Sequence, residues 1–505
     1  MLKVMVLAGA MLTGLDAASA VAQQAAPPPP HDEFYWLGEI NKASAVINTQ
    51  EGLLDPALAP RIAAGLDAVL KAGDQPNGRR PTLVITFEPL LIEAAGVEAT
   101  LLHAGRSSQD MLSTMRAAIM RDGTLRLAES LRKVTATLVR LARAHQNTVV
   151  PNYTNGVAAQ PNSLGHAFLG HVAGLERDAE RLQEFYARLD RSPMGTAVLN
   201  GTSWPLDRER MARYLGFPAL VDNAYDAAQI SAAEMPVEAG AVATSIALHC
   251  GAFVQDVMGQ YGEARPWILL QEGGGNTYVS SAMPQKRNPG LLNDTRAEAS
   301  RVVSLGIGRA IEDHNIPPGM ADAKSVADNA AVLGGATRTL DMWDRALNAL
   351  VISPDRALEA LNSDWTASEE VADALMRKYK LPFRVGHHFA SEMVDYARAR
   401  DIRPSDFPYA EAQRIYGDTL RDVKLPAGEL PLTEAEFRSA LDPAAIVRDR
   451  ATSGGPQPAE MARMLGEADA RVAAEGAWIK ARRDRIDASL ASLDADFGRM
   501  LKTQQ

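Results

Sequence analysis

Residues 280–289 read SSAMPQKRNP and place two hydroxyls, a lysine, an arginine and an asparagine on one proline-containing loop, directly after the glycine-rich run QEGGGNTYV. A site that removes a proton next to a carboxylate must hold that carboxylate while a second negative charge develops on it, which requires Lys, Asn, hydroxyl or backbone donors. A serine can act as the base if a nearby cation and desolvation stabilise its alkoxide. Ser280 and Lys286 could meet this requirement, whereas the alternative interpretation is a basic surface turn.

Three further polar stretches are flanked by helical patterns. They read GRSSQD at 105–110, NYTNGVAAQPNSLGH at 152–166 and GTSWPLDRE at 201–209. Each is weak evidence alone, because loops that join helices are generally polar. Together with the 280–289 loop they predict one site that holds a carboxylate and provides a base, with glycines 273–275 as the hinge of a closing loop.

Long helices are the elements that must position these loops. In two segments the apolar residues recur at alternating steps of four and three, which is typical of helices packed nearly parallel to their neighbours. The two sets are Leu127, Leu131, Val134, Leu138 and Leu141, and Val242, Ile246, Cys250, Phe253 and Val257. We therefore expect an all-α protein with a central bundle of long helices. Cys250 and the adjacent His249 are interpreted as core residues of that bundle.

Charge and composition exclude several classes of function. The formal net charge is −10, and no dense basic stripe is present, which argues against a general nucleic-acid binder. Cys250 is the single cysteine, so an intrachain disulfide and a cysteine-based metal site are excluded. His166 and His171 lie five residues apart, about 140° around a helix, whereas a shared ion requires a spacing of four. No metal site is expected.

The chain is predicted to consist of five segments. Residues 1–22 combine one lysine, a mostly apolar run and A-x-A cleavage options, which is typical of a secretory signal peptide. Residues 23–32 form a proline-rich tether. The remainder is divided into an N-terminal helical domain (33–108), the central bundle (109–364) and a C-terminal helical domain (365–505). We expect a periplasmic or secreted protein that is soluble after signal removal.

The same motifs resemble a known family. SSAMPQKRNP is similar to the signature loop of the aspartase and fumarase superfamily. LLHAGRSSQDMLSTMRAAIMRDG and NYTNGVAAQP are similar to the LHTGRSRND and GYTHLQRAQP segments of its argininosuccinate lyase branch, and LDPAAIVRDRATSGGPQP is similar to that branch's C-terminal pattern. The resemblance implies a three-part fumarase/aspartase-like fold and a homotetramer whose sites combine segments from different subunits. It also implies elimination of fumarate from substituted succinates without a cofactor.

The resemblance also implies roles for individual residues. Ser280 falls on the position of the catalytic base, and Lys286 and Asn288 fall on residues that hold the succinyl carboxylates. Gln109 replaces a substrate-binding asparagine with the same donor and acceptor. Further positions that match substrate-contacting or pocket-lining residues are Ser44, Ser107, Thr154, Gln160 and Ser281. Thr154 is also expected to stabilise the charged intermediate.

Besides Gln109, five positions depart from the branch. A histidine that is a proposed acid or relay is Asn155 here, and the glutamate that pairs with it is Asn293. Asn155 stays in the predicted catalytic set with Ser280, Lys286 and Thr154, although an amide cannot shuttle a proton near neutral pH. In GMADAKSVAD the residues Met320, Ser325 and Asp328 replace the Tyr, Gln and Lys that the branch uses on the arginine half of its substrate.

The loss of that lysine bears on the choice of substrate. Asp328 places a negative charge where the branch uses a lysine to meet a carboxylate, so attraction is replaced by repulsion. Argininosuccinate is therefore not the expected substrate. The export signal favours the same conclusion, because arginine biosynthesis takes place in the cytoplasm.

These observations favour a carbon–nitrogen lyase that eliminates fumarate from an N-substituted aspartate and releases an amine other than arginine. Two alternatives stay open, a carboxymuconate-type cycloisomerase of the same superfamily and a non-catalytic exported relative that binds a dicarboxylate. The expected partner is a small dicarboxylate or aminocarboxylate. Neither a cofactor, nor nucleic acid, nor a membrane partner after signal removal is expected.

Overall fold

The computed structural model describes residues 31–317, 319–320 and 324–502. The predicted signal peptide and nearly all of the predicted tether lie outside the described residues. The described chain is dominated by helices, which confirms the all-α fold class. It divides into two compact units, of which the first contains residues up to Ala104 together with the chain from Leu493 onwards, and the second contains Gly105–Ser492.

The first unit is a small helical body. Its helices are α1 (Glu33–Gln50), α2 (Ala59–Gly73) and α3 (Val84–Ala95), followed by a 3₁₀ turn at Val97–His103. The Asp32 side chain begins α1 by accepting the N–H of Tyr35 at 2.9 Å. Arg80 pairs with the same carboxylate at 2.6 Å, so one aspartate caps α1 and ties it to the segment that follows α2.

The second unit is built around long helices. In chain order its helices are α4 (Ser108–Ala144), α5 (Leu164–Leu189), α6 (Arg208–Tyr214), α7 (Ser231–Gln260), α8 (Gly290–Asp313), α9 (Val326–Asn348), α10 (Pro354–Ser363), α11 (Ser368–Tyr379), α12 (Phe383–Arg398), α13 (Tyr409–Asp422), α14 (Glu434–Ala440), α15 (Pro443–Arg448) and α16 (Pro458–Lys502), which leaves this unit after Ser492. A π-helical turn at Asp226–Ile230 precedes α7. Helices α4, α5, α7, α8 and α9 pack on one another as the central bundle.

The two predicted apolar stripes are confirmed as core. On α4 the residues from Leu127 to Leu141 at the predicted spacing are buried, as are those from Val242 to Val257 on α7. Cys250 is fully buried, and burial raises the pKa of its thiol to about 12. The segment Asp226–Gln260 is long and apolar enough to cross a membrane by composition. Half of its most apolar window is buried inside the bundle, as is common for the core helix of a soluble protein.

A buried ion-pair network ties α4 to α16. Arg121 on α4 is 1% exposed, and its guanidinium lies 3.3 Å from Asp190 and donates to the Leu215 carbonyl at 3.0 Å. Arg485 on α16 pairs with the same aspartate. Removal of the shared carboxylate would leave a buried cation uncompensated, so this contact fixes how the helices meet.

Short strand pairs close the loops between the helices. The strands are β1 (Val149–Thr154), β2 (Val157–Ser163), β3 (Arg191–Ser192), β4 (Ala219–Leu220), β5 (Ile268–Leu270), β6 (Tyr278–Val279), β7 (Arg287–Asn288) and β8 (Leu350–Ile352). Strands β1–β2, β5–β8 and β6–β7 pair antiparallel, and β3–β4 pair in parallel. The β1–β2 and β6–β7 hairpins carry two of the four polar stretches.

The C-terminal part of the second unit has a core of its own. Aromatic and aliphatic side chains between Trp365 and Ile446 form a hydrophobic cluster separate from that of the long bundle. The two compact units do not separate this region from the bundle, and α16 contributes to both units. The predicted division into three domains therefore stays a prediction.

Candidate functional site

The Ser280 loop is a β-hairpin whose backbone holds the serine hydroxyl. The Ser280 N–H donates to the Lys286 carbonyl at 3.3 Å, which continues the β6–β7 ladder by one step. The Ser280 Oγ accepts the N–H groups of Met283 at 3.2 Å and Ala282 at 3.4 Å. Two backbone donors therefore point at one half-buried hydroxyl oxygen, an arrangement that stabilises negative charge on it.

The sequence predicts Lys286 as the charge partner of Ser280. In this conformation the Lys286 side chain does not contact the Ser280 hydroxyl. Its side chain is exposed, and among the described residues no hydrogen bond joins its Nζ to Ser280 Oγ. Asn288 is half-buried, with its Nδ2 3.5 Å from the Tyr278 carbonyl. Ser281 is exposed on the loop. The donors of this hairpin are thus solvent-accessible and available to a ligand.

The GRSSQD stretch forms the start of helix α4. Ser107 is the N-cap, and its Oγ accepts the N–H of Gln109 at 3.3 Å. Asp110 accepts the N–H of Ser107 at 2.9 Å and completes a capping box. The Ser107 and Gln109 side chains are half-buried at the positive end of a long helix dipole, which favours an anionic ligand there.

Asp110 is a site residue that the sequence reasoning missed. Its side chain is fully buried and accepts the N–H groups of Gly195 and Ala197, each at 3.0 Å. Both of these residues have positive φ. Burial raises the pKa of Asp110 to about 6, while the backbone N–H groups and Arg106 act in the opposite direction. The signal that could have found it is the serine three residues before an acid, which is the pattern of a capping box.

Asp110 brings two of the four predicted stretches together. The segment from Pro193 to Gly201 folds over the carboxylate and leads into the GTSWPLDRE stretch. Arg208 in that stretch holds the same segment by donating to the Met194 carbonyl at 2.9 Å. These hydrogen bonds therefore join the α4 N-terminus to the loop before α6.

The 152–166 stretch is a hairpin with a two-residue turn. Asn155 and Gly156 connect the paired residues Thr154 and Val157, and both turn residues have positive φ, of 53° and 76°. Type I′ turns require this conformation, and Asn-Gly is the preferred sequence for it. Asn155 therefore has a backbone role at a position where the family motif has a histidine. Thr154 and Asn155 are both exposed at the tip.

Gln160 and His166 attach this stretch to the C-terminal region. The Gln160 amide donates to Glu369 at the start of α11. His166 Nε2 lies 2.9 Å from the Gly454 carbonyl, and His166 is half-buried at the start of α5. His166 is therefore a hydrogen-bonding residue at the start of a bundle helix.

An open cleft of approximately 570 Å³ lies between the β1–β2 hairpin and helices α5 and α7. Asn155 lines it, together with His171, Asp256 and Trp267, whereas Ser280 and Lys286 do not. Burial and the nearby His249 lower the pKa of His171 to about 4, and burial raises that of Asp256. His171 and Asp256 lie 3.8 Å apart.

Ser325 and Asp328, which replace residues that the branch uses on the arginine half of its substrate, have local structural roles at the start of α9. Ser325 is the N-cap of α9, and its Oγ accepts the N–H of Asp328 at 3.2 Å. Asp328 is exposed in the first turn, where a carboxylate favours the helix dipole. Met320 is 51% exposed, and Asn293 is half-buried in the first turn of α8.

Two further predictions from the sequence concern Ser44 and metal binding. Ser44 belongs to the first compact unit, where it is 1% exposed and donates to the Ile40 carbonyl at 2.9 Å. Within residues 31–317, 319–320 and 324–502, no three His, Cys, Asp or Glu side chains lie close enough to hold a metal ion. His249 is bonded to the buried Asp178 with 2.5 Å between its Nδ1 and the carboxylate.

Comparison with protein families and curated proteins gives consistent matches. Residues 83–304 match a family model described as lyase, and residues 365–448 match one described as argininosuccinate lyase C-terminal. The chain is 31% identical over 395 residues to an argininosuccinate lyase of Hyphomonas neptunium, a match that covers 76% of this chain and 83% of that protein. It is 25% identical to that of Methanosarcina acetivorans, with 90% of each chain covered.

Solved structures show the same fold. The chain is similar to EDDS lyase in complex with formate, with a TM-score of 0.85, 23% identity, and 93% of this chain and 92% of that chain covered. It is also similar to a 3-carboxy-cis,cis-muconate lactonizing enzyme from Pseudomonas putida, with a TM-score of 0.60, 20% identity, and 86% and 94% covered. These matches confirm the fumarase/aspartase-like arrangement of long helices.

Proposed function

Because the chain belongs to the aspartase and fumarase superfamily of lyases, in its argininosuccinate lyase-like branch, we propose that it eliminates fumarate from an N-substituted aspartate and releases an amine. Ser280 is the base. Lys286, Asn288, Thr154 and Ser107 hold the carboxylates, and Gln109, Gln160 and Ser281 contribute to the pocket in the assembled protein. The amine is not arginine.

The observation that carries the proposal is the pair of backbone N–H groups on the Ser280 hydroxyl. A hydroxyl has a high pKa in water, and hydrogen bonds donated to its oxygen favour the ionised form. Met283 and Ala282 donate such bonds, and closure of the loop over a ligand would strengthen them by removing water. The hairpin thus supports an alkoxide without a contact from Lys286, whose ammonium is left to bind a carboxylate.

The loss of the histidine and its glutamate fits an amine leaving group. The nitrogen of an N-alkyl aspartate carries its own proton at neutral pH, because alkylamines have pKa values near 10. Ser280 takes the proton from carbon, the C–N bond breaks, and its electron pair goes to the protonated nitrogen, which leaves as a neutral amine. No general acid is needed at Asn155 for this elimination.

Assembly and location are part of the same proposal. The site is proposed to form in a homotetramer in which the Ser280 hairpin of one subunit meets the α4 N-terminus and the β1–β2 hairpin of others. The exposure of the Ser280 hairpin and of Thr154 in the single chain supports this arrangement. Residues 1–22 are proposed to direct export, which would place the enzyme in the periplasm or outside the cell.

The test is the reverse reaction with purified mature protein. Fumarate is mixed with a panel of primary amines and diamines, and the loss of its ultraviolet absorbance is recorded, with products identified by mass spectrometry. We expect an N-substituted aspartate to form with at least one amine.

Separate arms decide between the alternatives. Rapid turnover of argininosuccinate would overturn the proposed change of amine. Lactone formation from 3-carboxy-cis,cis-muconate, with no amine addition, would favour the cycloisomerase. Fumarate binding by calorimetry without turnover of any substrate would favour a binding protein.

A further inference from the structure

We propose that the amine half of the substrate binds to exposed apolar side chains beside the N-terminus of α4, and that the released amine carries an uncharged alkyl or aromatic group. The inference rests on the proposed lyase function and assigns it a substrate class. The side chains are those of Leu199, Trp204, Ile230 and Met320, here called the apolar rim. Trp204 is the specificity-determining residue among them.

The apolar rim is exposed to solvent in the single chain. Its four side chains are between 46% and 51% exposed. Leu199 and Trp204 belong to the segment that precedes α6, Ile230 ends the π-helical turn, and Met320 precedes α9. A single exposed apolar side chain is ordinary, whereas several in neighbouring loops mark a surface that binds a ligand or a partner.

Trp204 lies directly beside the start of α4. A Cβ placed on Gly105 would come within 3.0 Å of the Trp204 Cβ and within 2.7 Å of a Leu206 methyl group. The tryptophan backbone therefore approaches Gly105 too closely for a side chain there. Ser107, two residues later, is the N-cap of α4. The indole is thus next to the helix end at which a substrate carboxylate is proposed to bind.

A buried glutamine joins the Leu199 segment to the π-helical turn. The Gln229 Nε2 donates to the Val198 carbonyl at 2.9 Å, and Gln229 is 5% exposed. Leu199 follows Val198, and Ile230 follows Gln229. Because the bond is shielded from water, it keeps these two apolar residues in neighbouring positions.

The Met320 segment adjoins the same glutamine. A Cβ placed on Gly319 would lie 3.7 Å from the Gln229 Oε1. The Met320 N–H donates to the Pro317 carbonyl at 3.1 Å and closes a turn at this contact. Gln229 is therefore the positioning residue at which the three loops of the apolar rim meet.

The chemistry of the apolar rim matches an uncharged group on the amine. Two aliphatic side chains, a thioether and an indole carry no charge and offer one N–H donor. Met320 occupies a position at which the branch motif has a tyrosine, and a thioether adapts its shape to an apolar ligand. An alkyl or phenyl group gains by burial against these side chains. A second charge there would lose water without gaining a partner.

The first test measures how addition to fumarate depends on the group carried by the amine. Methylamine, butylamine and 2-phenylethylamine are compared, since all three present a primary alkylamine nitrogen. We expect kcat/KM to rise from methylamine to 2-phenylethylamine by about tenfold or more, because the larger groups bury apolar surface. β-Alanine is similar in length to butylamine but ends in a carboxylate, and it should react more slowly than butylamine.

Substitutions in the apolar rim test the assignment of its residues. In Trp204→Ala the preference for 2-phenylethylamine over methylamine should fall by about fivefold or more, whereas Trp204→Phe should keep most of it. Met320→Ser changes a second loop of the rim and should also lower the preference. Phe383→Ala removes an aromatic side chain of 37% exposure on α12 and should keep the native preference.

The second test measures binding without turnover. N-(2-phenylethyl)aspartate and N-methylaspartate are titrated by calorimetry into Ser280→Ala, in which elimination is not expected. We expect the phenylethyl compound to bind more tightly by about tenfold or more, as burial of a phenyl ring allows. The difference should disappear when Trp204→Ala is added to the same chain.

The outcomes separate the apolar rim from the lyase proposal. Equal kcat/KM for the three amines, faster reaction of β-alanine than of butylamine, or an unchanged preference in Trp204→Ala would overturn the rim while the lyase proposal stands. If no amine reacts but the phenylethyl compound binds through Trp204, the lyase proposal fails and the rim remains. If a second copy of the chain covers the rim, Trp204→Ala would change the sedimentation coefficient and leave the preference unchanged, which also overturns it.

Discussion

At the scale of single residues, the proposed chemistry depends on groups whose neighbours are backbone atoms. Ser280 is singled out by its place in a loop rich in donors, which is visible in the sequence. The two N–H groups that point at its oxygen are not visible there, because they depend on how the loop turns back at Met283. In this conformation the Ser280 hydroxyl is contacted by those backbone donors and not by the Lys286 ammonium that the sequence predicts.

Asp110 shows the limit of motif reading at this scale. The sequence indicates a cap for α4, since the aspartate follows Ser107 by three residues. Its second partner group, the N–H pair of Gly195 and Ala197, lies more than eighty residues away. A contact of that separation depends on tertiary packing and has no local sequence signal.

The pKa of Asp110 leads to a pH-dependent prediction. Its ordinary value of 3.8 is raised to about 6 by burial, so between about pH 4 and pH 6 the folded chain keeps a proton that the unfolded chain has released. The stability contributed by that proton is present below pH 4 and is lost as pH rises through 6, by up to about 3 kcal/mol. Asp110→Asn cannot titrate, so the native advantage over it should shrink from pH 4 to pH 7.

Thermal unfolding of both proteins at four pH values across that range measures this effect. Asp74→Asn, on an exposed aspartate of the first unit, is the control for the loss of one carboxylate. A native advantage over Asp110→Asn that grows with pH would contradict the assignment.

At the scale of elements, the sequence carries the signals of the long helices and also that of one hairpin, which the family motif obscured. The apolar steps of four and three place α4 and α7 in the core, because that spacing makes a continuous stripe on a helix. The NYTNGVAAQP stretch contains Asn-Gly between short polar and apolar runs, which is the signal of a tight hairpin. Comparison with the family motif alone draws attention to the missing histidine and predicts a chemical role for Asn155. In the fold, the turn needs a residue with positive φ at this position.

Paired glycine substitutions test the hairpin. Gly156 has φ of 76°, and Gly170 is exposed on α5, and in both an added Cβ meets no atom within 4 Å. Gly156→Ala should lower the free energy of unfolding by about 1–2 kcal/mol through backbone strain alone. Gly170→Ala should raise the free energy of unfolding by about 0.5–1 kcal/mol, because alanine is the better helix former.

Denaturant unfolding measures the change in the free energy of unfolding for both variants, and the lyase assay measures their turnover. Thr154 lies next to the turn, so Gly156→Ala should also lower turnover, whereas Gly170→Ala should not. Equal effects of the two substitutions on stability would show that the turn does not require positive φ in solution.

At the scale of the whole molecule, the single chain leaves apolar surface on the central bundle. Ile307 and Ile311 on α8 are 53% and 69% exposed, and Leu248 on α7 is 60% exposed. Residues 307 and 311 are four apart and share one helix face. The proposed homotetramer would cover this face, and the sequence of one chain does not specify which helices do so.

Charge on that face should break the assembly. Ile307→Arg combined with Ile311→Arg is expected to shift the sedimentation coefficient from that of a tetramer to that of smaller species, because a charge buried at an interface is costly. Turnover should fall with it if the site combines subunits. Ile85→Arg, on a 77% exposed residue of α3 in the first unit, is the matched control. A tetramer that survives the double substitution would place the interface elsewhere.

The most direct test of the central claim is the rate of amine addition to fumarate in Ser280→Ala, measured against Ser300→Ala. Ser300 is an exposed serine of α8 that donates to the Arg296 carbonyl. We expect kcat to fall by about a hundredfold or more in Ser280→Ala, with fumarate still bound, and to stay at the native value in Ser300→Ala. Native turnover in Ser280→Ala would contradict the assignment of that hydroxyl as the base.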